Sequence, residues 1–226
     1  EFRRVLFRSI AENIAKVGAR IREAAQASQR NFADIGLLAV SKTKPADAIR
    51  EAHAAGLRDF GENYLQEALD KQAELDDLPL TWHFIGPIQS NKTKAIAEHF
   101  DWVHSVDRLK IAQRLSDQRP AHLPPLNICL QVNVSGEASK SGCAPQEVQQ
   151  LARAITALPR LRLRGLAGRL SRFGLRQQVI NLRLELRYPS LRFRVCALPL
   201  GIFGLGDSCF DRSNLVFIFS YLTARN

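Results

Sequence analysis

Residues 35–44 read Ile-Gly-Leu-Leu-Ala-Val-Ser-Lys-Thr-Lys, and Pro45 follows. Ile35 to Val40 is a short, nearly all-apolar run, the pattern of a strand covered on both faces in a parallel sheet. It breaks into a polar turn carrying Lys42, and helical spacing starts after Pro45, a residue suited to a first helical turn. Strand, turn and helix make half of a βα repeat, and in α/β folds the chemistry gathers where such strands end. Two readings of Lys42 stand side by side. One is a solvated strand-end lysine. The other is an amine that apolar surroundings strip of its charge, making it a nucleophile able to form a Schiff base with an aldehyde.

The same alternation runs outward from this stretch. Upstream, Ile10, Ile14, Val17, Ile21, Ala24 and Ala25 recur at helical spacing between charges, so residues 10–30 read as a helix. Downstream, helices are expected at about 45–55, 63–76, 91–99, 107–117 and 145–157. Strands are expected near Arg58–Phe60, at Trp82–Ile85, Trp102–Ser105, Asn127–Val134 and Leu161–Leu166. Short strands alternating with helices mean parallel pairing. Six such units in about 165 residues predict an α/β chain, a (β/α)8 barrel lacking its last two repeats.

Composition narrows the function classes. The chain has 226 residues and a formal net charge of +10, which would point to nucleic acid if the charge were spread over a patterned surface. It is not. Residues 167–226 hold nine Arg, no Lys, one Glu and two Asp, a net +6, and residues 1–9 add +2, leaving +2 for residues 10–166. No aromatic-basic interleaving accompanies the excess, so a nucleic-acid-binding protein is the weakest of the three functional readings. No apolar run reaches the eighteen or so residues of a membrane span. Cys129, Cys143, Cys196 and Cys209 show no metal or redox spacing. With no secretory pattern, a reducing cytoplasm is the expected location.

Four further motifs sit at the ends of the expected strands: Asp59-Phe-Gly-Glu-Asn-Tyr64, Trp82-His-Phe-Ile-Gly-Pro-Ile-Gln-Ser-Asn-Lys92, Asp101-Trp-Val-His-Ser-Val-Asp107 and Gln131-Val-Asn-Val-Ser-Gly-Glu-Ala-Ser-Lys-Ser-Gly142. With the segment around Lys42, and in this order, they closely resemble the pyridoxal phosphate homeostasis proteins from about residue 10 to about residue 166. The resemblance implies a barrel of the alanine racemase N-terminal type, pyridoxal 5′-phosphate as the bound cofactor, Lys42 as the Schiff-base lysine, and a carrier of the vitamer rather than a turnover enzyme. A pyridoxal-phosphate-dependent racemase or lyase using the same lysine is the alternative. Racemases of related fold work from two faces, often with a tyrosine from a second domain, for which this chain has no room. The small-molecule vitamer is the expected partner, with enzymes that accept it as possible recipients and a monomer as the expected state.

The resemblance sets Asn63 at the cofactor, while by residue type it is equally a helix N-cap. His83 either faces the ring from the third strand or is a satisfied core histidine. Gly86 opens the Gly86–Asn91 loop, which the resemblance puts at the cofactor mouth and local chemistry reads as turn punctuation. Lys92 and Lys94 open a helix, where cations are disfavoured, and read either as anion binders or as a solvated face. Ser135 and Lys140 lie in the loop after the fifth strand, with Lys140 either a secondary cofactor-contacting lysine or a solvated loop residue.

After Leu166 the expected pattern stops. The resemblance implies two more strands ending in phosphate-binding turns of Ser-Met-Gly-Met-Ser-like and Arg-Ile-Gly-like sequence, and neither is present. Half of the twelve Phe fall in residues 167–226, and no amphipathic period persists there. The segment reads as an out-of-frame translation of a GC-rich gene, with a divergent natural C-terminus as the alternative. Gly201-Ile-Phe-Gly-Leu-Gly-Asp-Ser208 imitates a phosphate loop without a helix pattern behind it. Residues 1–9, lacking an initiator Met, resemble an adaptor scar and are set aside.

Overall fold

A reciprocal capping box starts the first helix. The Ser9 hydroxyl accepts from the Glu12 N–H at 3.2 Å, and the Glu12 carboxylate accepts from the Ser9 N–H at 3.3 Å, so two open amides of the first turn are satisfied. Ser9, the last residue of the segment set aside as foreign, is therefore what caps α1 (Ile10–Ala27). The computed structural model of the chain describes residues 9–133, 141–168 and 217–219.

From α1 the chain alternates as its periodicities predict: β1 (Gly36–Val40), α2 (Ala46–Ala54), β2 (Asp59–Glu62), α3 (Leu65–Glu74), β3 (Thr81–Phe84), α4 (Thr93–His99), β4 (Trp102–Val106), α5 (Leu109–Gln118), β5 (Leu126–Val132), α6 (Val148–Thr156) and β6 (Leu161–Gly168). Strands β1 to β6 pair in chain order, each parallel to the next. That is the chain-order parallel sheet expected of a (β/α)-barrel.

The two sheet faces differ in chemistry because side chains alternate along each strand. Phe60, Phe84, Val103 and Ile128 are buried together with the helix residues Ile49, Ile96 and Leu115. Phe84 meets Phe100 edge-on at 5.3 Å, and Phe60 lies 6.3 Å from Trp82. The opposite, inner face carries Gly61, His83, Trp102 and Asn127, which the register aligns across β2 to β5. This layer is polar and aromatic. His83, Trp102 and His104 stack with centroid separations of 5.3–5.8 Å, and Arg164 lies over the Trp102 ring at 5.6 Å.

One buried cation secures the helix layer. Arg119, at the end of α5, donates Nη1 to the carbonyls of Ala97 and Phe100 and Nε to that of Pro124. Ala97 lies in the last turn of α4, whose carbonyls lack intrahelical partners, so one guanidinium fork fills the need of a helix end. Burial lowers the Arg119 pKa from its ordinary value.

Three details depart from the sequence reading. Pro45 occupies the N-cap position of α2 instead of its first turn. Asn63 does not cap α3, because Tyr64 takes that position and no side chain caps the helix. The expected barrel continues beyond β1 with a parallel strand, whereas the described strand on that edge, β7 (Phe217–Phe219), runs antiparallel, with Gly36 opposite Phe219 and Leu38 opposite Phe217. An unpaired strand edge presents N–H and C=O groups that accept an extended segment in either direction. Apart from β7, residues 169–226 lie outside the described residues, as does the imitation phosphate loop at 201–208.

Candidate functional site

The ladder between β1 and β2 extends one residue past Val40, since the Ser41 N–H donates to the Gly61 carbonyl at 3.0 Å. Ser41 is buried and points to the helix side, where its hydroxyl donates to Glu62 Oε1 at 2.6 Å. Lys42 follows as the first central residue of the turn just past the end of β1. Lys42 is half-buried. Among the described residues, no carboxylate or carbonyl holds its amine.

Its chain neighbours, in contrast, are tightly held. Lys71 of α3 is only 6% exposed, and its Nζ donates to three oxygens: the Ser41 carbonyl at 2.7 Å, Glu62 Oε1 at 2.8 Å and Glu67 Oε1 at 2.6 Å. The same Glu67 oxygen accepts the Thr43 N–H at 2.5 Å. Residues 41 and 43 are thus both tied to one buried ionic cluster while residue 42 between them is left unengaged. Desolvation raises the Glu62 pKa, against the lowering effect of Lys71 and Ser41. Thr43 has φ of 61°, a left-handed conformation that costs a β-branched residue about 1–3 kcal/mol. A β-turn closed by the Lys44 N–H donating to the Ser41 carbonyl at 3.0 Å puts Thr43 in that conformation, and the bond to Glu67 adds to its hold.

Asn63 and Gly86 follow the C-terminal ends of β2 and β3. Because β1, β2 and β3 are parallel neighbours, Lys42, Asn63 and Gly86 share one rim. Gly86 is there for a steric reason: a Cβ at this position would collide with the Asn63 carbonyl. Ser105, near the end of β4, donates its hydroxyl to the Gly86 carbonyl at 2.5 Å. Backbone of β2, turn of β3 and side chain of β4 therefore lock together at this rim.

His83 lies deeper, in the body of β3 opposite Gly61 and Trp102. It is buried, with Nδ1 at 3.0 Å from His104 Nε2 and Nε2 at 3.0 Å from Asp59 Oδ1. Desolvation lowers its pKa, with the Asp59 hydrogen bond opposing, and desolvation lowers that of His104 further. Both ring nitrogens of His83 are engaged by protein groups, the arrangement of a satisfied core histidine.

Ser135 and Lys140 lie outside the described residues. The base of their loop is described, and it is stitched shut. Asn133 N–H donates to the Cys143 carbonyl at 2.9 Å, Cys143 N–H to the Gln131 carbonyl at 2.9 Å, and the Gln131 side chain to the Ser141 carbonyl at 2.7 Å. Gly142 permits this with φ of 137° and with the Asn133 backbone where a side chain would stand. Lys94 reaches toward Glu98 at 3.9 Å and is largely exposed, which is the solvated-face arrangement. An apolar cavity of about 290 Å3, lined by Ile14, Val17, Ala39, Ile49 and Phe60 among others, lies on the helix side of β1, away from the inner face.

Sequence reasoning missed Glu62, Glu67 and Lys71. The signal was present: Lys71 falls on the apolar stripe of α3, at helical spacing from the buried Ala68 and Leu75, where a lysine needs a buried partner.

Residues 11–174 match the profile of the alanine racemase N-terminal domain. The pyridoxal phosphate homeostasis protein of Pseudomonas aeruginosa PAO1 is 82% identical over 158 residues, 70% of this chain and 69% of that one. The chain belongs to the pyridoxal phosphate homeostasis protein family. The family member of the same name from Escherichia coli K12 is 58% identical over 160 residues, 70% of this chain and 68% of that protein. Among solved structures, PipY of Synechococcus elongatus PCC7942 is 38% identical without PLP, with a TM-score of 0.62, covering 77% of this chain and 86% of that one. Its structure with PLP bound is 36% identical, with a TM-score of 0.60 over the same shares. An alanine racemase of Clostridium difficile 630, at 12% identity and a TM-score of 0.60 over 80% of this chain and 50% of its own, shares the fold. Among the described residues of this family member, no helix is long and apolar enough to cross a membrane.

Proposed function

We propose that this chain binds pyridoxal 5′-phosphate reversibly through Lys42, and that it holds and hands on the vitamer instead of turning over a substrate. The observation that carries the reading is the half-buried Lys42 amine at the end of β1, left without an acidic partner while its flanking residues are fixed. Bound there, the vitamer supplies an aldehyde that condenses reversibly with a primary amine. An amine spent in an ion pair could not serve, so the donor set fits the group.

The remaining roles follow from position. Asn63, on the same rim, offers a side-chain amide to ring substituents. Gly86 keeps the rim low enough for a planar ring to approach. His83 supports the layer beneath. Cofactor contacts by Ser135 and Lys140, which lie outside the described residues, rest on the family resemblance. The relatives, pyridoxal phosphate homeostasis proteins, and PipY with PLP bound support the same ligand and a carrier role. Cytoplasmic location, a monomeric state, delivery to enzymes that use the vitamer and no nucleic-acid partner belong to the same proposal.

The phosphate end is where this chain should fall short. The turns that the family resemblance assigns to phosphate are missing from residues 167–226. Losing several charge-assisted hydrogen bonds at about 1.5–3 kcal/mol each weakens binding by orders of magnitude.

The test is to add pyridoxal 5′-phosphate, reduce with borohydride and map the labelled peptide. Label on Lys42 is expected, and label on Lys44 or Lys140 with Lys42 clean would overturn the assignment. Racemisation or elimination of amino acids by the loaded protein would overturn the carrier reading. An absorbance titration equal to that of the Pseudomonas aeruginosa relative would overturn the expected phosphate defect.

A further inference from the structure

We propose that Lys71 is a positioning residue: its buried ammonium, together with Glu67, fixes the backbone on both sides of Lys42 and so selects Lys42 over the neighbouring Lys44. The inference rests on the reading of Lys42 given above and extends it to residues that contact no ligand.

The argument is geometric. A turn that follows a strand normally has freedom at its exposed peptide units, yet this one has little. The Ser41 carbonyl, one peptide before Lys42, is taken by Lys71 Nζ at 2.7 Å. The Thr43 N–H, one peptide after it, is taken by Glu67 Oε1. Lys71 and Glu67 are joined at 2.6 Å as an i, i+4 pair on α3, so both restraints come from one rigid element. Glu62, fully buried, joins Lys71 to the Ser41 hydroxyl through a single oxygen and ties the cluster to β2. Three bonds from this cluster thus converge on residues 41 and 43 and, among the described residues, none on residue 42. They brace the β-turn that the Lys44 N–H closes onto the Ser41 carbonyl, in which the left-handed Thr43 reverses the chain just after Lys42.

The chemistry needs such a device. Lys42 and Lys44 are two residues apart, and both are primary amines near the rim. An aldehyde distinguishes them by approach geometry, and small displacements of a reacting group change rates by one to two orders of magnitude. With the turn fixed, Lys42 is held half-buried at the end of β1 while the exposed Lys44 lies among residues lining the cavity behind β1. With the turn released, the two lysines become near equivalents.

Lys71→Met keeps the stem and removes the ammonium. Glu67→Ala, on the half-exposed face of α3, removes the acceptor of the Thr43 N–H while keeping a good helix former. Each full-length variant and the parent are treated with pyridoxal 5′-phosphate and borohydride, and separately with formaldehyde and borohydride, which needs no cofactor site. The Lys42-to-Lys44 labelling ratio is read by peptide mapping, alongside the thermal midpoint. In both reactions the ratio should fall about tenfold in Lys71→Met, by a smaller factor in Glu67→Ala, and recover in Lys71→Arg. A folded Lys71→Met with the parent ratio and only a lower midpoint would overturn the inference. If Lys71→Met fails to fold, an unchanged ratio in Glu67→Ala overturns it. A parent protein in which Lys42 takes no label refutes the Lys42 reading itself, a result distinct from either.

Discussion

His83 Nδ1 and His104 Nε2 stand 3.0 Å apart in a buried stack, and burial depresses the pKa of both rings. One ring nitrogen must donate and the other accept, so the contact cannot hold both rings protonated, and burial opposes charge on either. The unfolded chain protonates both near pH 6.5, while the folded chain resists. Below that pH the unfolded state binds more protons, and stability falls with the pH. Two such groups give a slope of up to about 2.7 kcal/mol per pH unit between roughly pH 6.5 and 5, above the range where carboxylates dominate. Urea denaturation across that range measures it. His104→Phe, which keeps a ring in the stack, should cut the slope by about half, and an unchanged slope would show that other groups carry it.

Gly86→Ala should destabilise the protein by about 3 kcal/mol, the upper end for forced overpacking, because the obstruction is the Asn63 carbonyl and not a side chain that can rotate away. Denaturant midpoints at constant m-value give the number. A loss below about 0.5 kcal/mol would mean that the rim yields easily.

Arg119→Met should cost about 3–5 kcal/mol. It strands the buried carbonyls of Ala97 and Phe100 where the arginine itself is only 3% exposed, and each buried unsatisfied acceptor costs about 1–3 kcal/mol. Hydrogen exchange of α4 and α5 amides should accelerate together in the variant. Acceleration confined to α5 would disprove the link.

Cys143 should resist alkylation in the native protein. Burial, with help from Glu147, pushes its thiol up to about 11. Only the thiolate reacts, so at pH 8 the reactive fraction is roughly 200-fold below that of a free cysteine, before any steric shielding. Iodoacetamide labelling followed by peptide mapping, native against urea-unfolded, tests this. Comparable rates in the two states would mean that the loop base at Val132 and Cys143 opens readily.

Periodicity alone was enough for the element order, because each signal is local. Ile35–Val40 reads as a strand from its apolar run, with Leu38 buried and its neighbours half-buried, and α1, α3 and α6 carry their apolar residues on one stripe. The positions of Lys42, Asn63 and Gly86 on one rim followed from the same reading, because parallel strands in chain order put every strand-end loop on the same side. Contacts that join distant residues left only a partial trace. The place of Lys71 on the apolar stripe of α3 signals that it needs a buried partner, but only folding shows that the partners are Glu62 and the Ser41 carbonyl, thirty positions earlier in the chain.

The antiparallel strand at Phe217–Phe219 and the engagement of both His83 nitrogens were equally beyond reach of the sequence, since strand pairing and side-chain hydrogen bonds depend on what arrives at an edge or a face from elsewhere. Sequence by itself determined the βα order and the candidate amine, through local hydrophobic period and turn chemistry. The tertiary structure decided which polar groups meet: it buried Glu62 and Lys71 behind Lys42, where the cost of desolvating each charge is offset by the other, and among the described residues it gave Lys42 no acidic partner.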